Sequence, residues 1–151
     1  MVCRMFRLET EVDRTRRDLL RSRLRETDTA ASPVLRALRG TPGEREAPLH
    51  VWAVGGDGAL AGGAVGHTWT TWLHVAHLWV DARHRGFGLG SALLKEAERV
   101  AREERGCRRA RLETWDFQAP GFYRRRGYEV VCVIEDYPPG VTEYTLTKRL
   151  A

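Results

Sequence analysis

Arg85-Gly86-Phe87-Gly88-Leu89-Gly90 stands between an apolar run that ends at Val80 and an amphipathic run that opens at Ser91. The first reads as a strand over residues 72–80. The second reads as a helix over 91–104, with Ala92, Leu93, Leu94, Ala97, Val100 and Ala101 on one face and Gly106 as its stop. Glycines at alternate positions let the backbone approach a ligand closely and adopt dihedrals that a side chain would forbid. Amides that converge there, next to a helix N-terminus, suit a phosphate. An ordinary glycine-rich turn is the structural alternative. Two other phosphate motifs do not fit. Ser91 stands where a dinucleotide fingerprint needs its third glycine, and no lysine follows Gly90 as a P-loop requires.

Working outward, residues 2–8 alternate loosely and read as an edge strand. Residues 11–25 read as a helix through Val12, Leu19, Leu20 and Leu24, with arginines on its other faces. Ser32-Pro33 opens a short helix through Leu38, as an N-cap followed by a first-turn proline. Residues 40–48 read as a flexible connector. Strands over 49–54 and 59–68 flank the turn Gly55-Gly56-Asp57-Gly58, and Gly62, Gly63 and Gly66 in the second imply a bulge or a close backbone approach. The spacing predicts a strand over 109–115, a short helix over 120–126 and strands over 128–134 and 142–150, with the rigid turn Pro138-Pro139-Gly140 before the last. The order implies one α/β domain over residues 1–151, a mixed sheet with helices packed on it.

Arg85-x-x-Gly88-x-Gly90 between strand and helix resembles motif A of the GNAT superfamily, whose members move acetyl from acetyl-CoA to amines. A second match is independent. Ala119-Pro120-Gly121-Phe122-Tyr123-Arg124-Arg125-Arg126-Gly127-Tyr128 is similar to the family's later segment Ala-x-x-Phe-Tyr-x-x-x-Gly-Tyr/Phe, one strand further on. The likeness covers roughly residues 49–150. One departure is Asp116, where many members carry Asn.

The resemblance implies an acyl-CoA N-acyltransferase fold, with a mostly antiparallel sheet and helices on both faces. It implies acetyl-CoA as cosubstrate, held by residues 85–91 (Arg85, Gly86, Phe87, Gly88, Leu89, Gly90 and Ser91) and by Gln118, Ala119, Tyr123 and Arg125. It also implies that strand 74–80 splays from strand 109–115, freeing the backbone of Leu78, Trp79 and Val80 for the acyl-pantetheine arm. Attack is direct, without an acyl-enzyme. No Ser or Cys is placed beside a base that would activate it.

Tyr123 is the candidate acid. A phenol near pKa ~10 can protonate a departing thiolate whose thiol titrates near ~8.5. His74 and Glu113 are rival bases, the histidine because imidazole is the side chain suited to taking up a proton near neutral pH. His50, His67, His77 and His84 read as structural. Asp116, Glu135 and Asp136, with Trp69, Trp72 and Trp115 near them in the topology, suit a cationic acceptor. The segment 117–140 resembles small single-domain members that acetylate antibiotics and other small molecules. A small-molecule amine of aminoglycoside or polyamine type is the expected acceptor. Protein or peptide acetylation, and acyl-CoA binding without turnover, remain alternatives.

Bulk properties bound the rest. The 151 residues are 42% hydrophobic with five Trp, which excludes a disordered chain. The net charge is +5, and Lys95 and Lys148 are the only lysines among 25 cations. Such a balance suits phosphate-bearing ligands. No recognised nucleic-acid motif accompanies the arginines, so a nucleic-acid module is the weaker rival. Cys3, Cys107 and Cys132 are too few and scattered for a disulfide framework or a zinc site, and no metal is expected. There is no apolar leader and no stretch of about 20 apolar residues. The expectation is a cytoplasmic protein with no membrane partner, and a homodimer stays open.

Overall fold

The structure is a computed structural model describing residues 6–150, whose contacts define two compact units with their boundary along the chain between Pro42 and Gly43. The first unit holds α1 (Arg14–Ala31) and α2 (Pro33–Leu38). Helix α1 is capped by Asp13, whose side chain accepts from the Arg16 amide, and it runs six residues past the expected end. No breaker interrupts it before Ser32-Pro33, and the residue before a proline leaves the helical region, here at φ −114 and ψ 114. Ser32 then caps α2 by accepting from the Leu35 amide. Of the expected edge strand 2–8, residues 2–5 lie outside the described residues and 6–8 are not in a strand.

The second unit holds β1 (Ala47–Val54), β2 (Leu60–Trp69), β3 (Trp72–Val80), α3 (Leu89–Arg99), β4 (Arg109–Trp115), α4 (Pro120–Arg124), β5 (Glu129–Ile134) and β6 (Glu143–Arg149). The sheet order is β1-β2-β3-β4-β6-β5. Among the described residues only β3 and β4 run parallel, and α3 makes the crossover that a parallel pair needs. Leu93, Leu94 and Ala97 of α3 join Leu73, Val75, Ala110, Leu112 and Leu146 in the buried core. Helix α3 continues as a π-helical turn over Val100–Glu104. It ends where Gly106, at φ +68, lets the Cys107 amide reach the Ala101 carbonyl at 2.8 Å. Strand β1 begins two residues before the expected boundary, inside the supposed connector. Its start is pinned by Arg105, whose guanidinium donates to the carbonyls of Ala47 and Pro48.

Among the described residues, no helix is long and apolar enough to cross a membrane, and no His/Cys/Asp/Glu cluster could hold a metal. Cys107 and Cys132 are free thiols.

One irregularity shapes the sheet. Val65 pairs with His77 and Gly66 with Val75, so Ala76 is an extra residue on β3. Gly66 makes this possible, because a Cβ there would lie 2.0 Å from the His74 carbonyl oxygen. Gly66→Ala is therefore expected to destabilise by ~3 kcal/mol or more, the upper end for overpacking, since the obstacle is backbone. An unchanged denaturation midpoint would mean that the strands pair in another register.

Candidate active site

The glycine turn is built as an anion cradle. Gly86 and Gly88 both sit at φ +84, and Gly88 is the N-cap of α3 without a capping side chain. The helix starts at Leu89, inside the motif, rather than at Ser91. Among the described residues, none of the backbone amides from Gly86 to Ser91 donates to a protein acceptor. They border a hollow of about 380 Å³ that Arg85 and Arg126 also line. Arg126 is held by three contacts. Its Nε donates to Ser91 Oγ at 3.0 Å, its Nη1 donates to the Phe122 carbonyl at 2.8 Å, and its guanidinium lies 3.5 Å over the Phe122 ring. Amides at a helix start with a guanidinium beside them fit the diphosphate of a nucleotide-bearing thioester. Gly90 differs from the other two glycines. It carries no positive φ, and a Cβ would meet Phe122 and Val80 at ordinary distances of 3.5 and 3.6 Å.

Next to the cradle the sheet opens. Pairing of β3 with β4 runs only from Trp72–Arg109 to Val75–Leu112 and stops at the Ala76 bulge. Beyond it, β3 keeps its bonds to β2 while its other edge faces a cavity of about 650 Å³. Leu78, Trp79, Val80, Arg85, Glu113, Gln118, Ala119 and Tyr123 all border this cavity. The Val80 carbonyl is not free, because Arg85 Nε donates to it at 2.9 Å. Gln118 is locked by its side-chain oxygen, which accepts from the Trp115 amide and the Thr114 hydroxyl. Burial pushes the Tyr123 phenol above its ordinary value, and its hydroxyl bonds to no described residue.

The face of the sheet away from α3 carries a second cavity of about 570 Å³. Strand alternation explains its lining. Trp69 opposes Trp72 and, two residues on, His67 opposes His74, so all four side chains share a face. Arg111 continues the His74 row on β4. His74 Nε2 lies 2.7 Å from Glu113 Oε2, and Arg111 Nη2 donates to Glu113 Oε1 at 2.5 Å. Burial pushes the Glu113 carboxyl up, but the hydrogen bonds from His74 and Arg111 outweigh it and hold the group below its ordinary value. Glu113 borders the first cavity and His74 the second, and both lie on the same face of the sheet, so this pair links the two cavities where the strands part. The two rival bases are one hydrogen-bonded unit.

Other expected site residues fall elsewhere. Trp69 and Trp72 line the second cavity. Trp115 stacks on Phe117 with ring centroids 5.5 Å apart. Asp116 is tied into the start of β6, accepting from the Thr142 amide at 3.3 Å. Glu135 and Asp136 are exposed in the β5–β6 turn, where Asp136 takes φ +53 and accepts from the Gly140 amide. Phe87 is exposed beside the cradle. Arg125 borders a neighbouring basic hollow with Lys95 and Lys148, while Arg126 reaches the cradle. His67, His77 and His84, read as structural, each line a cavity. Period-two alternation placed His67 beside His74, a signal present in the sequence. Glu46, on the second cavity's rim, had no such signal.

A glycine cradle at a helix start, beside parallel strands that part at a bulge, is the layout of the acyl-CoA N-acyltransferase fold. The chain belongs to the acetyltransferase (GNAT) family, whose sequence pattern matches residues 12–128, and it is an acetyltransferase. It is 55% identical over 131 residues to a blasticidin-S acetyltransferase of Streptomyces morookaense, covering 85% of this chain and 96% of that one. A streptothricin acetyltransferase of Streptomyces lavendulae is 39% identical over 93 residues, 59% of this chain and 49% of its own. A crystal structure of an acetyltransferase from Bacillus cereus superposes with a TM-score of 0.78 at 29% identity, covering 96% of this chain and 98% of that one.

Proposed function

We propose that the chain transfers acetyl from acetyl-CoA to a primary amine of a small cationic antibiotic, by direct attack. The observation that carries this reading is the parting of β3 from β4 at Ala76. It opens a cavity bordered by Val80 and Arg85, which also line the cradle, and by Tyr123 and Glu113. The antibiotic class rests on the relatives that act on blasticidin S and streptothricin. In this reading the cradle amides and Arg126 bind the diphosphate, and the free edge of β3 guides the thioester arm. The acceptor nitrogen attacks the thioester carbon, the carbon–sulfur bond breaks, and Tyr123 protonates the sulfur. A carboxylate held below its usual range is a weak base at neutral pH, so the amine's proton goes to His74. Glu113 accepts from His74 Nε2–H, which leaves the Nδ1 lone pair for the proton and stabilises the imidazolium.

The direct test mixes the protein with acetyl-CoA and follows free thiol across blasticidin S, a streptothricin, kanamycin and spermidine. Turnover with none of them, while acetyl-CoA binds, overturns the proposal. Glu113→Gln is expected to lower turnover ~10–100-fold, the low end for acid–base assistance, because His74 stays but loses its orienting anion. The pH dependence of stability supplies a second check. The Glu113 pKa is depressed in the fold, so its stabilisation is present above the usual carboxylate range and is lost as pH falls through the folded value. Glu113→Gln should flatten that acid-side loss. Wild-type turnover in the variant would remove Glu113 from the mechanism.

A further inference from the structure

We infer that the cavity on the face of the sheet away from α3 recognises the acceptor. Trp69 and Trp72 wall it against a planar or ring-bearing body, and Glu46 takes a positive charge remote from the reacting amine. This rests on the acetyl-transfer reading above and adds which residues choose the acceptor.

Position is the first argument. His74 lies in this cavity, and its partner Glu113 borders the thioester cavity. A molecule filling this second cavity therefore touches the base while the first cavity holds the donor. The mutual pairing of the strands ends at Val75 and Leu112, one pair past His74 and Arg111, so the gap in the sheet opens next to His74. At about 570 Å³ the cavity has the size of small-molecule sites.

Charge is the second argument. Of the acidic groups near His74, Glu113 already answers Arg111. Glu46 pairs with no Arg or Lys among the described residues, and its neighbour is His67, with Nε2 3.6 Å from Oε1. A carboxylate with no Arg or Lys partner beside aromatic walls favours a cation.

Placement is the third. Trp69 Nε1 donates to the Glu44 carbonyl at 3.1 Å, which orients the indole and anchors the segment that carries Glu46. Arg105 fixes the chain just beyond it through the carbonyls of Ala47 and Pro48. The Trp72 ring has the Arg109 guanidinium 5.6 Å from its centroid, which leaves Trp69 as the wall without a cation against it among the described residues.

The experiment takes the best substrate among blasticidin S, a streptothricin, kanamycin and spermidine and measures KM for it and for acetyl-CoA. Glu46→Gln should raise the acceptor KM about fivefold, the scale of one exposed charge pair, and Glu46→Asp should recover most of it. Trp69→Ala should raise it about tenfold, the scale of a cation–π contact. Acetyl-CoA affinity by calorimetry, turnover at saturation and melting temperature should hold in Glu46→Gln. Turnover with an unchanged acceptor KM in both Glu46→Gln and Trp69→Ala overturns the acceptor site while leaving acetyl transfer standing. No turnover of any amine by the wild-type protein overturns both.

Discussion

Gly88→Asp is expected to leave a folded protein that no longer binds acetyl-CoA. Gly88 sits at φ +84, and a Cβ there would meet nothing within 4 Å, so no neighbour is displaced. The conformational cost is small for this residue type, because Asp visits the left-handed region more readily than most. Binding is another matter. The new carboxylate stands at the N-cap of α3, among the amides from Gly86 to Ser91 that have no protein acceptor. It takes the place of the diphosphate and repels it. Hydrogen bonds to a charged group contribute roughly 1.5–3 kcal/mol each, so loss of two or more weakens binding by over ~100-fold. Gly88→Ala separates the causes, since it keeps the strain and omits the charge; it should bind more weakly than wild type but far better than Gly88→Asp. Calorimetry with acetyl-CoA reads both. Unchanged affinity in folded Gly88→Asp would place the diphosphate elsewhere.

The glycine turn was legible because its chemistry is local. Close backbone approach and a helix start both follow from residues within a dozen positions, and of the glycines read as a bulge or close approach, Gly66 sits opposite the bulge while Gly62 and Gly63 mark close approaches. Pairings across the sheet were harder. His74 and Glu113 are 39 positions apart and meet only because β3 and β4 run in register from Trp72–Arg109. Each is ambiguous alone, and only the parallel pairing makes them a unit. The acidic loop residues show the opposite limit. Asp116, Glu135 and Asp136 stand after strands, as candidates for a substrate pocket do. The backbone claims two of them, because the Asp116 side chain holds the start of β6 and that of Asp136 closes a turn. Short acidic side chains often serve their own loops in this way. Arg125 and Arg126 are neighbours in the turn that follows α4, and only the fold decides which of them meets Ser91.

Tyr123→Phe is expected to cut turnover by ~10²–10³, the lower half of what general acids supply. The ring's place does not depend on the hydroxyl. Tyr123 packs edge-on against Phe122 and Tyr128, with centroids 5.1 and 5.9 Å away, and its carbonyl accepts the amides of Arg126 and Tyr128. The hydroxyl bonds to no described residue, so its removal strands no partner and stability near neutral pH should hardly move. Burial raises the phenol's pKa, so the proton stays on the oxygen through neutral pH and into the alkaline range. The same shift makes it a reluctant acid. Protonating a thiolate whose thiol titrates near ~8.5 is uphill by at least ~1.5 units, and water can do part of the work, so the upper half of the range is not expected. The loss belongs to turnover, with acetyl-CoA affinity intact, because the bond is made as the sulfur departs. A thioester with a more acidic thiol should lose less, since its thiolate needs the proton less. Linkage gives an independent sign. A folded pKa above the unfolded one stabilises the protein below about pH 10 and withdraws that stability as pH rises, so Tyr123→Phe should resist alkaline unfolding better than wild type. Turnover within about twofold of wild type, with chemistry rate-limiting, would leave Tyr123 a packing residue.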